Sequence, residues 1–241
     1  MANELNSPIV SGDYILINGI SSNTVGLYID TPPVPPMAKQ RYTQYQTGAD
    51  TDSVSPDDSF ENITLTVNAY QFFAENFDNR AIYDFLKNAE TLQTSRFANF
   101  LYKVQKISVQ NPQASFGGKK IQYRIDFECE PFKYAVENSL QTISAGTITN
   151  LGNRYSRPVW VVTGNGGGDC ILTVNGAEFK IGGNLNTACC VDCQRMMAYT
   201  STAVVTQTTT GKFPFLAVGE NAVSWNANIA SVALQKNERW Y

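Results

Sequence analysis

Ten residues, Ile121 to Glu130, alternate apolar and polar without a fault, and Pro131 follows at once. Ile121, Tyr123, Ile125, Phe127 and Cys129 fall on one face, with Gln122, Arg124, Asp126, Glu128 and Glu130 on the other. That is the period-two signature of a half-buried antiparallel strand. A proline offers no N–H to a ladder, so pairing is expected to end there. Before this stretch lie strands, one helical pattern and a long irregular segment; after it, turn signals recur at short intervals and no helical pattern appears. The strand is therefore read as the last of one domain, residues 1–130, and the doorway to a second, residues 131–241.

A length of 241 residues suits one or two domains. Hydrophobic residues make up 43% of the chain and charged residues only 16%, against about 25% in an ordinary soluble domain. So thin a charge implies either a surface covered within an assembly or a β surface rich in Thr, Asn and Gln. Net charge is −3 and no basic cluster exceeds Lys119-Lys120, so specific nucleic-acid binding is not expected. Met1 to Asn6 lacks the basic start and apolar run of a signal peptide, and no apolar run is long enough for a membrane span. A cytosolic protein with no membrane partner is expected. Five cysteines, with Cys189, Cys190 and Cys193 crowded together, do not resemble a secreted disulfide framework and are expected to be reduced.

In chain order, Tyr14–Ile17 followed by Asn18-Gly19 predicts a strand entering a turn, with Val25–Ile29 as its partner. Residues 31–59 hold five prolines, the acidic residues Asp50, Asp52, Asp57 and Asp58, and almost no apolar periodicity. They predict a long arm or loop, a kind of segment that is functional or disordered in compact domains. Proline-rich chain is already extended and loses little entropy on docking, and Arg41, Tyr42 and Tyr45 are side chains that interfaces favour. The arm is therefore expected to embrace a neighbouring subunit. Phe60–Tyr70 predicts a strand. A helix is expected over residues 79–90, with Asp78 as N-cap and a stripe of Ile82, Phe85, Leu86 and Ala89 that faces its own sheet or a neighbour. Phe100–Val109 is expected to pair with Ile121–Glu130 through turns at Asn111-Pro112 and Gly117-Gly118.

Beyond Pro131 the pattern is all β. Strands are expected at Leu140–Thr149, Val159–Thr163, Cys170–Val174, Glu178–Ile181, Cys189–Cys193, Met197–Thr200, Ala222–Trp225 and Ala230–Leu234, with a hairpin at Asn175-Gly176. So many short strands in about 110 residues suit a two-sheet sandwich.

The chain has no histidine, which removes the commonest general base, the commonest zinc ligand and every Ser-His or Cys-His arrangement. Gly164-Asn165-Gly166-Gly167-Gly168-Asp169 lacks the Gly-Lys-Ser/Thr ending of a phosphate loop, places Asp169 where a dinucleotide fingerprint has its third glycine, and leads into a strand; a hairpin loop is expected. The Cys190-x-x-Cys193 spacing lacks the second pair of a four-ligand zinc site, with only Cys170 left to contribute. The acidic run at Asp50–Asp58 has neither the central glycine nor the terminal Glu of a calcium loop. No pair of carboxylates is singled out for glycosidic cleavage. The expectation is a chain that is not an enzyme, with no catalytic set, no cofactor and no metal.

Phe213-Pro-Phe-Leu-Ala-Val-Gly-Glu-Asn-Ala-Val-Ser-Trp225 resembles the Phe-Pro-x-Leu-x-x-Gly-x-Asn-x-x-x-Trp signature of siphophage distal tail proteins. Asn153–Trp160, Leu172–Gly176, Val191–Cys193 and the closing Arg239-Trp240-Tyr241 fall in the order and spacing of that family. Ile17–Ser21 and Phe127–Phe132 are similar to its opening and domain-junction segments. The proline-rich arm and the triple cysteine depart from it. The resemblance implies a mainly β protein with an N-terminal β-barrel-like domain carrying one helix and the arm, followed by a galectin-like β-sandwich. It implies a structural role at a virion tail tip, assembled in the host cytoplasm: a homo-oligomer, a hexameric ring, joining the tail tube protein to the tail-associated hub or fibre protein and letting DNA pass. A receptor-binding protein is a further implied partner. Phe213, Pro214, Gly219, Asn221 and Trp225 are expected to be structural, forming a turn that feeds a buried strand. The alternative is a carbohydrate-binding module that stacks sugars on Trp160, Trp225 and Trp240.

Overall fold

A computed structural model describes residues 12–46, 53–72, 79–115, 117 and 119–241. The chain divides into two compact units, Met1–Lys133 and Tyr134–Tyr241.

The first unit holds β1 (Ile15–Ile17), β2 (Ile20–Ser21), β3 (Tyr28–Thr31), β4 (Gln40–Tyr45), β5 (Ser53–Phe60), β6 (Ile63–Phe72), α1 (Arg80–Leu86), β7 (Thr91–Thr94), β8 (Phe100–Val109), β9 (Gln113–Ser115) and β10 (Lys120–Ala135). Seven strands run in the order β2-β1-β7-β8-β10-β6-β3, a sheet curled into a half-barrel, and β9 pairs with the start of β10. The period-two stretch lies near its centre, in register with β6 from Lys120 opposite Phe72 to Cys129 opposite Ile63. Ile125 and Phe127 thereby meet Val67 and Leu65 across the ladder, and all four are buried. Ile82 and Leu86 of α1 enter the same core with Phe85 and Ala89 packed at its margin, so the helical stripe faces its own sheet.

Three expectations are corrected in this unit. First, β10 does not stop at Pro131. Its ladder with β6 ends at the Cys129–Ile63 pair, so the missing N–H of Pro131 costs that ladder nothing, and proline's φ suits an extended chain. Burial changes phase at this point, from odd-numbered residues up to Cys129 to even-numbered Phe132 and Tyr134. Phe132 packs edge-to-face on Phe60 at 5.6 Å. Second, the partner of β1 is β2. Asn18 and Gly19 both take positive φ, 51° and 81°, the conformation of a two-residue hairpin, so the return strand starts at Ile20. Residues 28–31 pair with β6 instead. Third, α1 ends at Leu86 and not at residue 90, and its N-cap position, Asn79, makes no side-chain cap bond. The predicted cap Asp78 lies outside the described residues, as do Asp50, Asp52 and Gly118.

The second unit holds β11 (Gln141–Ile143), β12 (Gly146–Asn150), β13 (Val159–Gly164), β14 (Cys170–Val174), β15 (Ala177–Ile181), β16 (Ala188–Asp192), β17 (Met197–Tyr199), β18 (Thr209–Gly211), β19 (Gly219–Trp225) and β20 (Ile229–Gln235). They form two five-stranded sheets, β11-β20-β13-β16-β17 and β12-β19-β14-β15-β18. Inward residues of both, among them Trp160, Leu172, Phe179, Val191 and Val232, share one core. The protein is thus mainly β, a half-barrel unit with one α-helix among the described residues and a two-sheet unit.

Two further expectations are revised. The predicted strand Leu140–Thr149 is two strands in different sheets, broken at Ser144-Ala145, where the chain crosses over and Gly146 takes φ 146°. Residues 165–169 likewise join strands of different sheets rather than the arms of a hairpin. Asn175 and Gly176, at φ 50° and 78°, do make the expected two-residue hairpin between β14 and β15.

Candidate assembly surface

The arm is not a loop. Strands β4 and β5 pair into a two-stranded antiparallel ribbon that belongs to none of the three larger sheets, with Tyr42 opposite Pro56, Gln44 opposite Val54 and Tyr45 opposite Ser53. The prolines are concentrated at its base: Pro32 and Pro33 are buried, while Ala38 packs on the core of the first unit. A shift of register between Gln40 and Tyr42 is held by Asp57, whose carboxylate accepts from the Thr43 hydroxyl at 2.6 Å and whose carbonyl accepts from Gln40 Nε2 at 2.9 Å. Beyond that bulge the ribbon is open to solvent. Tyr42, Tyr45 and Val54 are each more than half exposed, and Val34 and Met37 at the base are more exposed still.

Pairing decides which side chains share a face. Tyr42, Gln44, Val54 and Pro56 lie on one side of the ribbon, Thr43, Tyr45, Ser53 and Ser55 on the other, and Arg41 sits at the bulge. Arg41, Tyr42 and Tyr45 therefore do not form one patch; each face carries one tyrosine. A lone two-stranded ribbon is marginally stable in water, and both of its outer backbone edges lack a strand partner among the described residues.

The Phe213–Trp225 segment is built inward. Pro214 and Leu216 are buried, and the ring of Phe213 packs, tilted by 43°, on the buried ring of Phe179 with centroids 5.0 Å apart. Asn221 is fully buried and uses both ends of its amide: Oδ1 accepts from the Ala217 N–H at 2.8 Å and Asn175 Nδ2 at 2.7 Å, while Nδ2 donates to the carbonyls of Ala217 and Gly219, each at 2.9 Å. Gly219, at φ 83°, brings those two carbonyls within reach. Asn150, also buried, donates to the carbonyls of Arg154, Leu216 and Ala217. The bracing roles of Asn150 and Asn175 escape a sequence reading, which finds Asn175 only as a hairpin residue, because an asparagine in a turn looks the same whether it caps its own chain or braces another.

Burial pushes the thiols of Cys129 and Cys189 up to about 12 and about 11, and raises that of Cys193 as well, which disfavours the reactive thiolate. All five cysteines are free thiols. No three Cys, Asp or Glu side chains converge as metal ligands among the described residues. Asp169, at the end of the glycine-rich loop, has its carboxyl held below the usual range by the Lys180 ammonium and the Gly183 N–H. Trp160 is fully buried, so its indole is not available to stack a sugar, and Trp225 is partly buried against the core.

No protein-family model and no curated protein matches the sequence. Among solved structures the chain is similar to the crystal structure of SPP1 Dit (gp 19.1), described as a paradigm of the hub adsorption apparatus in phages that infect Gram-positive bacteria. The TM-score is 0.61 at 14% identity, over 92% of this chain and 97% of that one. At such identity the likeness is one of fold, and it runs through both units.

Proposed function

We propose that the chain is a structural protein of a siphophage tail tip, which assembles through its first unit into a hexameric ring between the tail tube and the hub or fibre proteins and leaves a passage for DNA. The single observation that carries the reading is the shared fold with SPP1 Dit across nearly the whole of both chains. The collinear motifs from Asn153 to Trp225 support it independently, as does a ribbon that exposes Tyr42, Tyr45 and Val54 with no strand alongside. On this reading the ribbon reaches a neighbouring subunit, and its two faces touch different surfaces.

Because Pro32 and Pro33 are buried and Phe60 packs on Phe132, the ribbon is best excised between them, replacing residues 40–59 with a short Gly-Ser linker. Light scattering of the whole chain is expected to give a hexamer's mass, and negative-stain images a ring. The excised variant is expected to stay folded and run as a monomer. A monomeric parent chain would overturn the ring, and an excised variant that still assembles would overturn the ribbon's part in it.

A further inference from the structure

A groove of about 290 Å³ runs between the end of α1 and β8. Buried Leu86 lines it, with Ala89, Val104 and Ile107 from the margin of the core and the exposed Tyr83 and Val109 beside them. The strand that borders it has an unfinished edge. Tyr102 and Lys103 pair with β7, and the Val104 N–H donates to the Glu90 carbonyl at 2.8 Å. From Gln105 to Val109, β8 keeps β10 on one side and has no strand on the other among the described residues. Ala89, next to Glu90, lines the groove, so the groove lies on that open side. An unpaired strand edge beside an apolar groove is the form to which an extended chain adds, with main-chain bonds holding it and alternate side chains filling the groove.

The ribbon offers such a strand on one edge and one face. Pro56 has no N–H to exchange with Tyr42, so theirs is a pair without ladder bonds, and the main-chain groups of Tyr42 point to the outer edge of β4. By the same alternation Pro56 interrupts the outer edge of β5, which leaves β4 as the edge able to pair. Tyr42, Val54 and Pro56 make one face of the ribbon apolar, while Thr43, Ser53 and Ser55 keep the other polar apart from Tyr45. A strand added beside β8 has one face on the groove and one towards solvent, and the ribbon has a face of each kind. No ribbon residue lines the groove within its own chain, and β4 and β5 pair only with each other.

We infer, resting on the ring proposed above, that the groove between α1 and β8 receives the ribbon of a second copy, with β4 extending the open edge of β8 and Tyr42 entering the groove. The test is light scattering of the whole chain and its variants over a range of concentrations, with amide hydrogen exchange. Tyr83→Glu and Val109→Glu each put a charge in the groove and are expected to raise the concentration for half-assembly by at least about tenfold. Ala81→Glu, exposed on α1 and outside the groove's lining, is expected to assemble as the parent does. In the assembled parent, the amides of Gln105–Val109 and of Tyr42 are expected to exchange more slowly than in Tyr83→Glu at a concentration where that variant is monomeric. Circular dichroism checks the fold, and Tyr83→Glu, at a helix position 69% exposed, decides if Val109→Glu does not fold. A parent chain that runs as a monomer would overturn the ring and this docking together. A ring that needs residues 40–59 yet is unmoved by Tyr83→Glu, or that leaves Gln105–Val109 unprotected, would overturn the docking alone.

Discussion

The indole Nε1 of Trp160 donates to the carbonyl of Pro214 at 2.9 Å, and the thiol of Cys193 approaches the same oxygen at 3.5 Å. Residues from three separated segments thus meet at one main-chain atom in the centre of the second unit. Trp160→Phe removes the strong donor and leaves a gap beside a buried carbonyl. A loss of about 2–4 kcal/mol is expected, seen as a lower urea midpoint for the second unit's transition. A loss below about 1 kcal/mol would show that this bond contributes little.

Gly219 is expected to be sensitive to backbone conformation and indifferent to bulk. An added Cβ there would meet nothing within 4 Å, yet φ is 83°. Gly219→Val is therefore expected to cost about 1–3 kcal/mol, whereas Gly219→Asn costs less, since asparagine already occupies positive φ at Asn18 and Asn175 in this chain. Thermal unfolding of the two variants side by side provides the check: equal losses would point to packing as the cause.

The buried thiols set an alkaline limit. In the unfolded chain they ionise near their ordinary value of about 8.5, while in the folded chain Cys129 is held up at about 12 and Cys189 at about 11. Between those limits the folded state holds more protons than the unfolded one, so stability falls as pH rises above about 9. Melting temperature measured from pH 7 to 10.5 is expected to decline over the upper part of that range, less steeply in Cys129→Val. At pH 8 a thiol reagent is expected to reach Cys190, which is half-buried, well before the other four. Reductant is expected to leave the melting curve unchanged, since no disulfide is present.

Elements decided by neighbouring residues were legible in the sequence. The hairpin at Asn175-Gly176 and the strand Cys170–Val174 needed only a turn dipeptide and an alternation, and β10 as far as Glu130 needed only its own period; its continuation through Pro131 to Ala135, out of phase, did not show. The ribbon was not legible, because five prolines suggest a broken chain until Pro32 and Pro33 are seen to be buried at its base and Pro56 to lie opposite Tyr42. Its pairing also splits Tyr42 from Tyr45, which adjacency in sequence would put together. Nothing local told Trp160 in the core from an indole on the surface. The guanidinium of Arg239 donates to the carbonyl of Tyr155 from more than eighty residues away, and only the fold brings it there.

The change of burial phase at Glu130-Pro131 imposes a rule of parity on that junction. A single residue inserted there would turn Phe132 and Tyr134 to the face they now avoid and take Phe132 from Phe60, whereas two would restore them. Gains and losses of length at this seam should therefore be tolerated in even steps and resisted in odd ones. A fragment of the first unit should likewise run to Lys133, since one ended at Glu130 would strip Phe60 of the ring that covers it.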